Sequence, residues 1–364
     1  MATLQHTTPK ADGYYFPGEF DPHQATWLMY PERTDIYPFG AKRAQRAYLN
    51  LVREISLFEK VYLCVSNQFT KTMDPDFYNY AEVIEMESDG NWLRDTGPTF
   101  VKNQYGKTRA IQWQFNAWGG IDGGLYAPWD KDALVSVKIV EYLKLEYYKA
   151  PMVLEGGAIL SDGEGTLLTT EETLLNPNRN PNLSKRDIEI ILKEYLNVEK
   201  IVWIKNGLYL DEAGGHIDGI CSFLSPGVIL LAWTDDKNDP QYKLSNAAFE
   251  ALSSATDAQG RKFIIHKVHQ PVPQYITQEE SDSIVVLDGT VSRNAGERLP
   301  ASYLNFYYVN GGVILPIFGD SKHDELAVTQ FENLFPDRQI VPFLSRDILL
   351  GGGNIHCMTQ QQPI

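Results

Sequence analysis

Cysteine is scarce in this chain: three residues in 364, at Cys64, Cys221 and Cys357. No two of them form a C-x-x-C pair. That argues against a disulfide framework and a cysteine-based zinc site, and predicts free thiols in a reducing cytoplasm. Long apolar runs are also missing, since none approaches the roughly 20 residues of a membrane span. The opening Met1-Ala2-Thr3-Leu4-Gln5-His6 lacks the basic stretch and apolar core of a secretory leader. A cytoplasmic protein with no membrane partner is expected. Positive charge is under-represented, with 32 Lys and Arg against 47 Asp and Glu, a net charge of −15. Such a surface repels phosphate backbones, so no nucleic acid partner is expected and a small cation is the better ligand. Acidity for solubility alone is common, however. No Pro/Ser-rich linker interrupts the chain, and 43% apolar with 22% charged residues is the composition of a folded globular protein. One domain over residues 1–364 is expected.

What is present is a recurring order of elements. Ala44, Ala47, Leu51, Ile55 and Phe58 fall at helical spacing. Similar patterns predict helices over about 130–147, 184–196, 241–254 and 322–335. Ser184, with Asp187 three residues later, forms a capping-box-like start for the third of these five. A short β-type run follows each helix, at 61–65, 152–154, 200–204, 263–268 and 340–343. Downstream of four of them, two further strands flank a glycine turn. These hairpins span 98–115 around Gly106, 158–170 around Gly163 and Gly165, 220–234 around Gly227, and 302–317 around Gly311 and Gly312. Helix, strand, loop and hairpin thus recur every 50–90 residues, roughly.

The fifth unit runs out after Cys357, while residues 25–30 read as a strand with no hairpin partner of its own. That strand is expected to pair with the fifth unit and close a ring. The expected fold is α/β, a five-bladed pseudo-symmetric α/β propeller with a central active-site channel. An ordinary α/β sheet is the alternative.

The loops before the hairpins hold the residues with chemistry to offer. They are Asn91-Trp92-Leu93-Arg94-Asp95-Thr96-Gly97-Pro98, Leu154-Glu155-Gly156-Gly157, Asp211-Glu212-Ala213-Gly214-Gly215-His216-Ile217-Asp218-Gly219 and Gly351-Gly352-Gly353-Asn354-Ile355-His356-Cys357. The fourth unit, at Ser292-Arg293-Asn294-Ala295-Gly296, offers no obvious catalytic group. In a closed ring Asp95, Glu155, His216, Asp218 and Cys357 would converge. Three consecutive glycines let backbone approach another group closely and hold the following thiol in place. Carboxylates beside a thiol oppose its ionisation, so the set makes sense with a cation between them. A guanidinium pairs two N–H groups at a time with a carboxylate, and each pair at about 4 Å and an effective dielectric near 20 is worth roughly 4 kcal/mol before desolvation. Two carboxylates would then aim its central carbon at the sulfur. Histidine would protonate the departing ammonia and afterwards activate water. This chemistry needs no metal and no cofactor.

Plainer readings exist for each residue. A lone cysteine is usually a small buried hydrophobe, and Cys64 and Cys221 are read so. His216-x-Asp218 could be a metal pair. Trp92 and Trp118 are packing residues by default, placed with the substrate-binding set for their positions.

At these residues the chain resembles the agmatine deiminase family, within the wider guanidine-modifying superfamily. The matching pieces include Pro17-Gly18-Glu19-Phe20, Phe115-Asn116-Ala117-Trp118-Gly119-Gly120 and the terminal Gly351–Cys357 segment. The resemblance implies a five-bladed α/β propeller and a homo-oligomer. It implies Cys357 as nucleophile, His216 as general acid/base, and Asp95 and Asp218 on the guanidinium. Glu155 would position His216 or a substrate nitrogen, and Glu212 would reach the substrate's amine tail. The implied reaction converts agmatine and water to N-carbamoylputrescine and ammonia. Gly90, Gly214 and Gly219 depart from the family pattern, where polar residues are usual, so these neighbours are expected to bear on the substrate's tail or on the residues behind the site, and a deiminase of another guanidine compound is an alternative. One rival is a metal-dependent ureohydrolase, although its paired Asp-x-His-x-Asp motifs are absent. Another is a non-catalytic binder of cationic amines.

Overall fold

The computed structural model describes residues 3–4 and 6–364. The periodicity around residue 50 becomes the helix Lys42–Ser56, whose buried stripe is Ala44, Ala47, Tyr48, Leu51, Val52 and Ile55. Leu51, Val52 and Ile55 are fully buried, and each such side chain contributes about 1.5–3 kcal/mol of burial free energy. Helices also form at Asp132–Leu143, Lys185–Leu196, Gln241–Ser254 and Ser321–Leu334. Ser184 and Asp187 make the reciprocal capping box that their spacing predicts.

The second helix is shorter than its pattern. It stops at Leu143 because Lys144 turns into the left-handed region at φ 57°, and the chain re-emerges as the strand Tyr147–Val153. Periodicity misses this stop because Leu145, Tyr147 and Tyr148 continue an apolar run and no glycine marks the cap.

Each predicted hairpin is present and antiparallel: Thr99–Asn103 with Thr108–Gln114, Ile159–Ser161 with Thr166–Thr170, Cys221–Ser225 with Val228–Trp233, and Tyr307–Val309 with Gly312–Ile317. The strand after each helix does not join the hairpin that follows it. It runs parallel to the second strand of the hairpin before it, as Lys200–Ile204 does beside Thr166–Thr170, and the same holds at Tyr147–Val153, Ile264–His269 and Gln339–Leu344. A strand, helix and parallel strand in this order need the helix as crossover.

The fifth occurrence joins the two ends of the chain. Thr359–Pro363 pairs antiparallel with His23–Met29, from Thr359 opposite Leu28 to Pro363 opposite His23. His23–Met29 in turn runs parallel to Lys60–Val65. The expected partnership of the N-terminal strand with the last unit is therefore observed. One apolar core holds this junction together, containing Leu28, Leu51, Ile55, Leu63, Ile355 and Met358. No helix among the described residues is long and apolar enough to cross a membrane. Cys64 and Cys221 are fully buried, as packing residues would be.

Candidate active site

Four of the five repeated antiparallel strand pairs are entered through a short helical turn, and each turn delivers predicted site residues. Leu93–Thr96 carries Asp95, Gly156–Ala158 follows Glu155, Ile217–Gly219 carries Asp218 next to His216, and Ile355–Met358 carries Cys357. The corresponding place before Tyr307–Val309 is occupied by Asn305, not by the 292–296 loop that the order of elements points to. Asn305 Oδ1 lies 3.3 Å from Cys357 Sγ and accepts the Cys357 backbone N–H at 3.4 Å.

One narrow cavity, about 40 Å³, is lined by Trp92, Asp95, Trp118, Glu212, His216, Asp218 and Cys357. Glu155 does not line it. It is fully buried behind His216, with Oε2 at 3.7 Å from Nε2. The three glycines act by close approach. A Cβ on Gly351 would stand 2.5 Å from the Tyr37 ring, and one on Gly353 would stand 2.5 Å from Trp92 and 3.1 Å from Cys357 Sγ. The thiol is thereby brought against the cavity wall. A fourth close approach is at Gly157, where a Cβ would lie 2.6 Å from His216 Nδ1, 2.9 Å from Asp218 Oδ2 and 3.1 Å from Asp95 Oδ1.

Each acid has its own holder. Asp95 accepts the Trp118 indole N–H at Oδ2 and the Gly157 N–H at Oδ1, both at 2.9 Å. Glu155 Oε1 accepts Arg179 Nε at 2.7 Å. Asp218 Oδ2 accepts His356 Nδ1 at 2.8 Å and stands 3.7 Å from Cys357 Sγ. Glu212 is gripped at both oxygens by Arg293, which also donates to the Gly351 carbonyl at 2.7 Å. The expected amine-tail residue thus already holds a cation.

The electrostatics follow from these contacts. Burial pulls His216 down, but Asp95, Glu155, Asp211 and Asp218 outweigh it and raise the imidazole to about 10, so it is an imidazolium at neutral pH. Burial pushes Asp95 up, with His216 opposing and Asp218 adding. Burial also pushes Asp218 up, but the His356 hydrogen bond and charge outweigh it and keep it below the usual carboxylate range. Burial, then Asp218 and Asp95, lift the Cys357 thiol well above its ordinary value, so it is a thiol in this state. The acids are also more fully compensated than the sequence implies. Arg94, Arg179, His216 and His356 face Glu19, Asp95, Glu155, Asp211 and Asp218.

Several residues here escaped the sequence reading. Asp211 lines the cavity and accepts the Gly215 and His216 backbone N–H groups at 3.0 and 2.7 Å. Glu19 and His356 sit inside the matched motifs but had no role, because nothing local relates the one to the other, while Arg94, beside Asp95 a candidate for a structural salt bridge, pairs with Glu19. Of the three departures, Gly219 lines the cavity. Gly90 does not: its N–H donates to Asp132 at 3.0 Å and a Cβ there would meet Tyr126 Oη at 2.4 Å. Gly214 presents its carbonyl to Thr173. Among the described residues, no group of three or more His, Cys, Asp or Glu side chains is arranged to hold a metal ion.

Comparison with known proteins places this geometry. The model of the Porphyromonas-type peptidyl-arginine deiminase family matches residues 15–363. The agmatine deiminase of Pseudomonas aeruginosa is 48% identical over 359 residues, covering 98% of this chain and 97% of its own. That of Pseudomonas fluorescens is 48% identical over 365 residues, covering 100% and 99%. A solved structure described as agmatine deiminase of Enterococcus faecalis catalysing its reaction aligns at a TM-score of 0.95 and 41% identity, covering 100% of this chain and 99% of its own. With a family model over nearly all of its length and full-length relatives close to half identical, the chain belongs to the Porphyromonas-type peptidyl-arginine deiminase family.

Proposed function

We propose that this chain is a cysteine-dependent agmatine deiminase, hydrolysing agmatine to N-carbamoylputrescine and ammonia. The observation that carries the reading is the Cys357 thiol, set 3.7 Å from Asp218 in a cavity that Asp95 and the His216 imidazolium also line. The names of the full-length relatives support the choice of substrate.

In this mechanism Asp95 and Asp218 take the N–H edges of the guanidinium and turn its carbon towards Sγ. The incoming positive charge offsets the carboxylates that disfavour the thiolate, so the thiol gives its proton to solvent as substrate binds. Sulfur adds to the guanidinium carbon. His216 protonates one nitrogen of the tetrahedral adduct, and that C–N bond breaks to release ammonia. The thiouronium left on Cys357 is attacked by water, which gives a proton to the now neutral His216. Cleavage of the C–S bond yields the ureido product and restores the thiol. Glu155, neutralised by Arg179, holds His216 from behind. Trp92 and Trp118 wall the cavity, and Glu212 stands where an amine tail would reach.

We read the five hairpin–helix–strand repeats as blades of a five-bladed α/β propeller forming one catalytic domain, with this cavity in its central channel. The pairing of the first and last strands supports that reading. Three unpaired cysteines suit a cytoplasmic location. The test is turnover of agmatine by the purified protein, followed by ammonia and ureido product. Cys357→Ala should abolish both, whereas Cys64→Ala should keep kcat. Ammonia release by Cys357→Ala at the parent rate refutes the nucleophile, and urea in place of the ureido product refutes the reaction.

A further inference from the structure

The structure assigns a positioning role to His356, the residue before Cys357. Held doubly protonated between Glu19 and Asp218, it fixes Asp218 and offsets the charge that Asp218 turns towards the thiol. This rests on the deiminase reading for its catalytic meaning, but its geometry stands alone. His356 Nδ1 lies 2.8 Å from Asp218 Oδ2, and Nε2 lies 2.9 Å from both oxygens of Glu19. The ring is 3% exposed, so no solvent competes for either nitrogen. An ionised carboxylate only accepts, whereas a neutral imidazole has one N–H to give. Two flanking carboxylates therefore require two N–H groups, which is the imidazolium.

The flank is anchored. Arg94 donates to Glu19 Oε1 at 3.0 Å and to the His356 carbonyl at 3.3 Å, gripping both ends of the link. Burial alone would raise Glu19, but His356 and Arg94 hold it ionised, down to about 2. The result is a buried row of alternating charge: Arg94, Glu19, His356, Asp218. The oxygen at the end of that row, Asp218 Oδ2, is the one that faces Cys357 Sγ. The remaining acids around the sulfur are Asp95 and Asp211. Asp218 can thus be close enough to orient a guanidinium without presenting its whole charge to the nucleophile. Its Oδ1 is left free of His356.

The experiment compares the parent with His356→Asn, which can keep a donor near the Nδ1 position without the charge, and with Glu19→Gln, which withdraws the counterion of the imidazolium. Alkylation of Cys357 by iodoacetamide is followed against pH, with Cys357→Ala as the blank for Cys64 and Cys221. Both variants should alkylate at least about ten-fold more slowly near pH 8, as a one-unit rise in the thiol implies. The acid limb of kcat/KM for agmatine should move to higher pH, because Asp218 loses the group that keeps it ionised. Superimposable alkylation profiles and acid limbs, with only a lower Tm, would make His356 a packing residue and overturn the inference. If neither variant folds, ¹⁵N-histidine spectra of the parent decide. His356 should still carry a proton on both ring nitrogens above the pH at which the free side chain, titrating near 6.5, has lost one, and a neutral tautomer at pH 7 would refute the assignment. Failure of agmatine turnover in the parent would strike the deiminase reading and leave the alkylation and nitrogen readouts to judge His356.

Discussion

Asp95→Asn tests the site most severely, because one atom change acts on three partners. The carboxylate accepts Trp118 Nε1 at Oδ2 and Gly157 N–H at Oδ1, each at 2.9 Å. An amide keeps one acceptor and turns its NH₂ towards whichever donor remains. Opposing two buried donors costs about 1–3 kcal/mol of stability, partly offset by removing a carboxylate from beside Asp218 and Glu155. The catalytic loss is separate. A charge-assisted hydrogen bond contributes about 1.5–3 kcal/mol, and the Coulomb attraction of a guanidinium at about 4 Å is up to roughly 4 kcal/mol at an effective dielectric of 20. kcat/KM should therefore fall by about 10- to 10³-fold.

The distinguishing result of that variant lies in the pH profile. After burial, Asp95 is the largest influence on His216 and the largest that raises it. With its folded value at about 10, above the free value, the imidazolium is fully present at neutral pH and is lost as pH rises through that value. Removing Asp95 lowers the value, so the alkaline limb of kcat should move towards neutrality. Ammonia release measured from about pH 6 to 11 reads both effects, with Trp118→Phe as a control that loses one hydrogen bond but keeps the charge and should cost about ten-fold or less. A large drop in kcat/KM with an unmoved alkaline limb would refute the coupling of Asp95 to His216. Unchanged kcat/KM would refute Asp95 as a guanidinium ligand.

Gly157→Ala needs no change of backbone conformation, since Gly157 does not have a positive φ, and overpacking should cost about 1–3 kcal/mol. Its Cβ would stand within 2.6–3.1 Å of His216, Asp218 and Asp95, so activity should fall by more than about 100-fold, as a 1 Å displacement of reacting groups implies. Parent-like kcat with a parent-like Tm would show that the three side chains need not meet there. Arg293→Gln should release Glu212 for a substrate amine. Selectivity for agmatine over an amine-free alkylguanidine should rise by about 3- to 10-fold, the scale of one net hydrogen bond. Competition of the two substrates reads this, and an unchanged ratio means that Glu212 does not meet the tail.

The fold was legible where local patterns repeat. Apolar spacing marked the five helices, and glycines with positive φ at Gly106, Gly163, Gly227 and Gly311 marked the hairpins. The strand at Tyr147–Val153 was seen only from residue 152, because Lys149 and Pro151 interrupt a β-type run whose outward positions are exposed. In the candidate site, Asp95, Glu155, His216, Asp218 and Cys357 could be grouped from the sequence because each stands in a glycine-containing loop at the corresponding place in its unit. Asn305 was not. Its turn carries no glycine, and the glycine of the 292–296 loop drew attention to the wrong segment. Glu19 and His356 were hidden for another reason. Their meaning is a pairing across most of the chain, and neither residue is unusual where it stands.

The junction of the chain's two ends has a consequence for when the thiol is dangerous. Cys357 lies just before Thr359–Pro363, whose partner strand His23–Met29 is about 330 residues earlier, and closing a loop of that length costs about 5 kcal/mol of chain entropy. Such long-range pairing forms slowly, after the intervening units can hold the ends near each other. Until then the cysteine rides on an unattached segment, away from Asp95 and Asp218, with the ordinary acidity of a free thiol near 8.5. Folding would thus passivate this sulfur, and in the proposed mechanism the substrate's charge restores its reactivity. Pulse alkylation during refolding would time that event, with protection expected to arrive together with the last strand and not with the helices. Oxidative damage to the newly made protein should accordingly concentrate at Cys357 before the ends have met.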